Sequence, residues 1–211
     1  MRELHVVLAL APPHRAGPPA EGVSARRRAA RTALSAGARL AGAPFPWTNA
    51  AFDPPRDPHG APQPVSGWSW TVSHTRQWVG AALWTGPVGL DIEGRRQPSS
   101  AVVEAASTTA ERTLMEKHWD REEAFLRLWS AKEAVLKRTA LGLAGLSATG
   151  LRALEPDGDL TRLTFDYEGL PFTVIQGSLD GGAGTVEHWW SLTAAGDPAP
   201  VLHLPHAMVS P

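Results

Sequence analysis

Asp91 and Glu93 stand two apart in Val88-Gly89-Leu90-Asp91-Ile92-Glu93, which reads as a strand. Both carboxylates therefore project from one face while Ile92 points the other way. Side by side they repel, and a cation between them relieves the repulsion. A third acid, Glu133, lies in Trp129-Ser130-Ala131-Lys132-Glu133-Ala134-Val135-Leu136-Lys137. Three carboxylates without Cys or a close His pair make a hard, oxygen-rich donor set. Such a set suits Mg²⁺ that also takes phosphate oxygens and water. His74, Lys132 and Lys137 add positive groups for the same phosphates. A lone His is ordinarily structural and an Asp-x-Glu arises often by chance, so the weight rests on the combination.

The element that must position Glu133 runs from Asp120 to Ala140, without Gly or Pro and rich in Ala, Leu, Glu, Lys and Arg. That composition predicts a helix, with Asp120 as cap and Glu123 three residues on. Wound at about 100° per residue, it sets Phe125, Leu128, Trp129, Val135 and Leu136 on one arc, the expected buried face. Arg127, Ala134 and Arg138 fall opposite. Lys132 lands inside the apolar arc, Glu133 at its edge and Lys137 one turn beyond. A half-buried Lys or Glu costs free energy unless compensated. The two can pair with each other, with charges elsewhere, or with a metal and a phosphate; on an ordinary amphipathic helix Lys132 simply reaches out to water.

The 211 residues suffice for one large domain or two small ones, and the net charge of −1 leaves no nucleic-acid or membrane footprint. Without cysteine there is neither a disulfide framework nor a thiolate zinc site. His5 to Ala11 reads as a strand rather than a signal-peptide core. No apolar run reaches bilayer length, so the expected setting is the cytoplasm.

In order, the pattern predicts a strand over 2–10, a loop over 18–22 and a helix over 25–40 capped by Ser24. This helix carries Arg26, Arg27, Arg28 and Arg31, either a solvated face or a clamp for a phosphate dianion. A Pro-rich irregular stretch over 42–67 follows, then a hairpin of 69–74 and 78–84, and the strand at 88–93. Helices over 99–107 and 110–119, the second capped by Thr109, precede the long helix. Gly142 and Gly145 end that helix region, and strands follow at 150–154, 160–167, 172–176 and 188–194. The Pro-rich tail after Gly196 shows no periodicity and is expected to lack order. The division expected is 1–86, 87–196 and a tail, 197–211.

The blocks Ser73-His74-Thr75, Gly89 to Glu93 and Trp129 to Lys137, in this order and spacing, resemble the signatures of the 4′-phosphopantetheinyl transferase superfamily. Overall length and gaps resemble its longer, surfactin-type branch. The resemblance implies an α+β fold of two similar subdomains related by pseudo-twofold symmetry, each a small antiparallel sheet packed with a long helix. It implies a monomer that moves the 4′-phosphopantetheine group of coenzyme A onto a serine of an apo acyl or peptidyl carrier protein. Those carriers serve fatty-acid, polyketide or non-ribosomal peptide synthesis. Asp91, Glu93 and Glu133 would then hold Mg²⁺, or Mn²⁺ in its place. His74, Ser73, Lys132 and Lys137 would serve the phosphates of coenzyme A, and Arg26, Arg27, Arg28 or Arg31 its 3′-phosphate. Glu133, Lys137 and His74 would be the catalytic groups. One step departs from the family: Gly60-Ala61-Pro62 has Ala where a basic residue is usual, with Arg56 or His59 as stand-ins. Carriers are acidic around their serine, so Arg95, Arg96, Arg112 and Lys117 are candidate contacts, or else solvated charges. The competing readings are a non-catalytic coenzyme A or carrier-binding protein of the same fold, and a structural protein in which Lys132 and Glu133 merely pair with other charges.

Overall fold

The computed structural model describes residues 3–11, 19–140, 142–179 and 188–204, with side chains from Gly22 onward in the first helix. The chain divides into two compact units, residues 1–88 with 195–211, and residues 89–194.

The first unit holds strands β1 (Leu4–Leu10), β2 (Ser69–His74), β3 (Trp78–Trp84) and β9 (Pro200–His203), with helix α1 (Pro19–Leu40). Their sheet order is β2-β3-β1-β9. The β2–β3 hairpin is antiparallel, with Ser69 opposite Trp84 and His74 opposite Val79, as the short polar turn Thr75-Arg76-Gln77 between two strands predicts. Helix α1 lays Ala33, Leu34 and Ala38 against Trp47, Trp70, Ala81 and Leu83. It starts five residues before the expected Ser24 cap, at Pro19, whose fixed φ suits a first helical turn. The tail departs from expectation too: Pro200 to His203 pair parallel with Leu4 to Val7, an edge strand bound by main-chain bonds that need no local periodicity. Residues 205–211 lie outside the described part, as do Arg2 and Pro18.

The second unit contains β4 (Val88–Gly94, its first residue in the other unit), β5 (Thr149–Asp157), β6 (Leu160–Tyr167), β7 (Leu170–Leu179) and β8 (His188–Ala194), ordered β4-β8-β7-β6-β5. Its helices are α2 (Ser100–Ala106), α3 (Thr109–Met115) and α4 (Arg121–Thr139), and a 3₁₀ helix runs from Gly142 to Ala148. Asp120 caps α4 by accepting the Glu123 N–H at 2.9 Å, and Ala140, at φ 59°, ends it. The stop is thus a left-handed alanine, before either expected glycine. The cap of α3 is Thr108, not Thr109. Thr108 and Glu111 form a reciprocal capping box in which each side chain accepts the other's backbone N–H. Helix α4 packs Leu128, Ala131 and Val135 on Leu163, Phe165 and Val174, while Phe125 and Leu126 meet Trp189.

The face of α4 opposite the apolar arc is also covered, contrary to the helical-wheel expectation. Ala134 is fully buried and Arg127 nearly so. Arg127 donates to Glu123 at 2.7 Å and to Gln176 at 3.2 Å, and its guanidinium lies 4.5 Å from the Trp119 ring. A charge can be buried here because Nε and Nη1 are hydrogen-bonded, one of them to a carboxylate, and the guanidinium face lies against tryptophan. The architecture is α+β with two largely antiparallel sheets. No helix among the described residues is long and apolar enough to cross a membrane.

Candidate active site

Strand β4 and helix α4 meet at Gly89. A Cβ there would fall on the carbonyl oxygen of Ala134 and within 2.7 Å of the Arg138 nitrogen. Only glycine permits that approach, and it sets the carboxylates of β4 beside the polar edge of α4. Lys137 Nζ donates to Asp91 Oδ1 at 2.7 Å and to the Leu90 carbonyl at 3.1 Å. Asp91 itself is buried.

Burial, foremost, and then the Asp91 carboxylate push Glu93 above the ordinary carboxylate range, while Arg96 and the Trp129 indole N–H pull it partly back. Burial likewise raises Glu133, with repulsion from Asp91 and Glu93 adding to it and Lys137 opposing it. The three acids expected to act together are therefore close enough to feel one another. Among the described residues no three acids or histidines are gathered tightly enough to grip an ion as they stand. The chemistry of the set nevertheless fits a hard cation: its donors are all oxygens, and two are driven toward protonation by burial and by their neighbours' charge.

Lys132 lies elsewhere. It is buried and bonds Glu111, with Nζ 2.9 Å from Oε1, and donates to the Ala106 carbonyl at 3.0 Å. Of the compensations open to it, the structure takes pairing with a distant charge rather than escape to water. Glu111 also accepts the Leu151 N–H at 2.9 Å, so one carboxylate joins α3, α4 and β5. Burial alone would raise its pKa. The bonds from Lys132, Thr108 and Leu151, with the Lys132 charge, outweigh burial and hold it below the usual value. Pattern-reading from the helix wheel missed this partner, although the Thr108-x-x-Glu111 box was visible in the sequence.

In the first unit, Ser73 is buried and His74 exposed at the end of β2. Arg26, Arg27, Arg28 and Arg31 lie along α1. Arg31 reaches Asp53 at 3.5 Å, and its buried Nε has no hydrogen-bond partner among the described residues. Arg56 stacks 4.5 Å from the Trp70 ring centre, bonds the Gly60 carbonyl at 2.7 Å and sits opposite Pro62, directly beside Ala61. Burial lowers its pKa; Asp53 opposes that, while Arg27 is near enough to lower it further. Arg27, Arg31 and Arg56 thus form one basic group around Asp53. Of the candidate carrier contacts, Arg95 is held by Asp120, Glu122 and Glu123, Arg96 by Glu93, and Arg112 by Ser107 and Thr109, while Lys117 is exposed.

The site is one of acids and lysine on a strand and helix in close contact, set in an α+β fold. Residues 87–174 match the family model of the 4′-phosphopantetheinyl transferase superfamily. The chain is 36% identical over 119 residues to 4′-phosphopantetheinyl transferase psf-1 of Bacillus pumilus, covering 55% of this chain and 50% of that protein. It is 35% identical over 75 residues to 4′-phosphopantetheinyl transferase ffp of Bacillus subtilis, covering 35% of this chain and 34% of that protein. Over these stretches the chain is similar to 4′-phosphopantetheinyl transferases, and it resembles the surfactin-type branch. The matches span half the length, or less, of these relatives.

Proposed function

We propose that the protein transfers the 4′-phosphopantetheine group of coenzyme A to a serine of an apo carrier protein and releases adenosine 3′,5′-bisphosphate. The observation that carries this reading is the Lys137–Asp91 pair on the β4–α4 contact, with Glu93 and Glu133 raised beside it. The carrier's serine oxygen attacks the β-phosphorus, and the bond to the bridging pyrophosphate oxygen breaks. Glu133, or a water it holds, takes the proton from the serine hydroxyl. Lys137, fixed by Asp91, faces charge developing on the phosphate oxygens. Asp91, Glu93 and Glu133 would hold Mg²⁺, whose charge screens the pyrophosphate. His74 and Ser73 receive phosphate oxygens. Lys132 acts through Glu111 as a support for α4 rather than as a phosphate ligand. The expected setting is a cytoplasmic monomer, and light scattering of the purified chain tests the oligomeric state.

The test is to incubate the protein with coenzyme A, Mg²⁺ and apo carriers of fatty-acid, polyketide and peptide synthesis, then weigh the carriers. Mass gain supports transfer; coenzyme A binding without gain points to a non-catalytic binder. Glu133→Gln should lower turnover by about 10²–10⁴-fold while leaving the thermal midpoint near that of the parent. Near-normal turnover in saturating Mg²⁺ would remove Glu133 from the mechanism.

Among the arginines of α1, Arg31 is the candidate for the 3′-phosphate, because its buried Nε has no acceptor among the described residues; Arg56 stands in for the basic residue missing at Ala61. Arg31→Ala should raise KM for coenzyme A roughly tenfold, the loss of one bond to a charged group. With 3′-dephospho-coenzyme A the same substitution should change KM little. An equal effect on both substrates would place Arg31 elsewhere.

A further inference from the structure

His5 on β1 and His203 on β9 bring ring nitrogens face to face. Nδ1 of His5 lies 2.9 Å from Nε2 of His203, the rings tilted at 37° with centroids 5.2 Å apart. Two imidazole nitrogens at that distance share either a proton or a cation. We propose that His5 and His203 bind one borderline transition-metal ion, Zn²⁺ or Ni²⁺, which clips β9 to β1.

A tetrahedral ion with Zn–N bonds of about 2.0–2.1 Å needs its nitrogens only a few tenths of an ångström farther apart than they are. Each ring then carries its proton on the nitrogen remote from the metal. The proton shared in the hydrogen-bonded form moves within its own ring, and none leaves a neutral pair. For His5 the remote nitrogen is Nε2, which faces Glu3 Oε2 at 3.9 Å. At that distance the carboxylate is an electrostatic neighbour rather than a hydrogen-bond partner, and it favours the tautomer protonated at Nε2, which leaves Nδ1 for the metal. The His5 side chain is only 15% exposed, and beside it opens a cavity of about 480 Å³ whose walls include Trp68, Trp84 and Thr85. Among the described residues of that lining, Glu3 is the acidic one. Water or a small anion in the cavity would complete the shell, since no third protein ligand is gathered there among the described residues. Imidazole selects Zn²⁺, Ni²⁺ or Cu²⁺ over Mg²⁺, which separates this site chemically from the carboxylates of β4 and α4.

The experiment uses the untagged full chain, stripped with chelator and titrated with Zn²⁺ in excess Mg²⁺. One equivalent should bind and raise the Tm, because an ion that binds only the folded chain stabilises it. X-ray absorption at the zinc edge should report two imidazole nitrogens. His5→Gln and His203→Gln should each abolish both the binding and the Tm gain while keeping the parent's circular dichroism. No binding by the parent chain, binding that survives in both variants, or a zinc shell without imidazole would each overturn the site. Should a variant fail to fold, the absorption spectrum of the parent decides alone.

Discussion

Glu111→Ala is expected to destabilise the protein by about 3–5 kcal/mol, the range for breaking a buried ion pair from one side. The loss has three sources. Lys132, itself buried, keeps its charge with only the Ala106 carbonyl against it. The N-terminus of α3 loses half of its capping box, and the Leu151 N–H on β5 loses its acceptor. Against a typical total stability of about 5–15 kcal/mol, such a change moves the denaturation midpoint far enough to read directly. The double variant Glu111→Leu with Lys132→Met should recover much of the loss, since apolar groups of similar size replace a buried pair at little cost. The pH dependence follows from the lowered pKa of Glu111. A carboxyl depressed on folding stabilises the fold fully above its unfolded pKa, near about 4.3. That stability is lost as pH falls through the folded value. Urea denaturation of the parent chain should therefore show a step of lost stability below that range, and Glu111→Ala should lack it. A variant within about 1 kcal/mol of the parent would show that Lys132 is satisfied without Glu111.

The same pair marks the limit of what the sequence discloses. Helix α4 was legible from end to end because its signals are local: Asp120 at the cap, no Gly or Pro inside, charges placed to suit the dipole. The hairpin was legible for the same reason, its two strands being joined by the polar turn Thr75-Arg76-Gln77, and β6 and β8 fall where short strands were expected. Among 21 acidic residues, Asp91, Glu93 and Glu133 could be nominated only because they stand in blocks whose order and spacing resemble a known family. What stayed hidden depends on contacts made over long stretches of chain. Arg127 read as solvent-facing because a helical wheel knows nothing of Trp119, Gln176 and Trp189, which close over it. Strand β9 has four residues and no pattern, and exists because β1 offers an open edge. The partner of Lys132 sits on another helix, and nothing in the spacing of α4 selects Glu111 over Asp91.

Among the described glycines, Gly89→Ala is expected to have the largest effect on chemistry. The new Cβ would meet the carbonyl oxygen and carbon of Ala134 and the amide nitrogen of Arg138. These are backbone atoms inside a helix, so neither rotamer change nor a flexible tip can absorb the overlap. Strand β4 must then move off α4. Overpacking of this kind costs about 1–3 kcal/mol and occasionally more. The move also draws Asp91 away from Lys137, now at 2.7 Å, and from Glu133. Misplacing reacting groups by about 1 Å can cost 10²-fold in rate. The carrier-mass assay should therefore show turnover at least about 10²-fold below the parent, even at temperatures where circular dichroism reports a folded chain. Gly150→Ala is the matched control. It adds the same methyl to β5, where nothing lies within 4 Å of the new atom, and should change stability and turnover little. If the Gly89 variant matched the Gly150 variant in both readouts, the close contact of strand and helix would not be what holds the acids in place. The catalytic role given to Asp91 and Glu133 would then need another geometric basis.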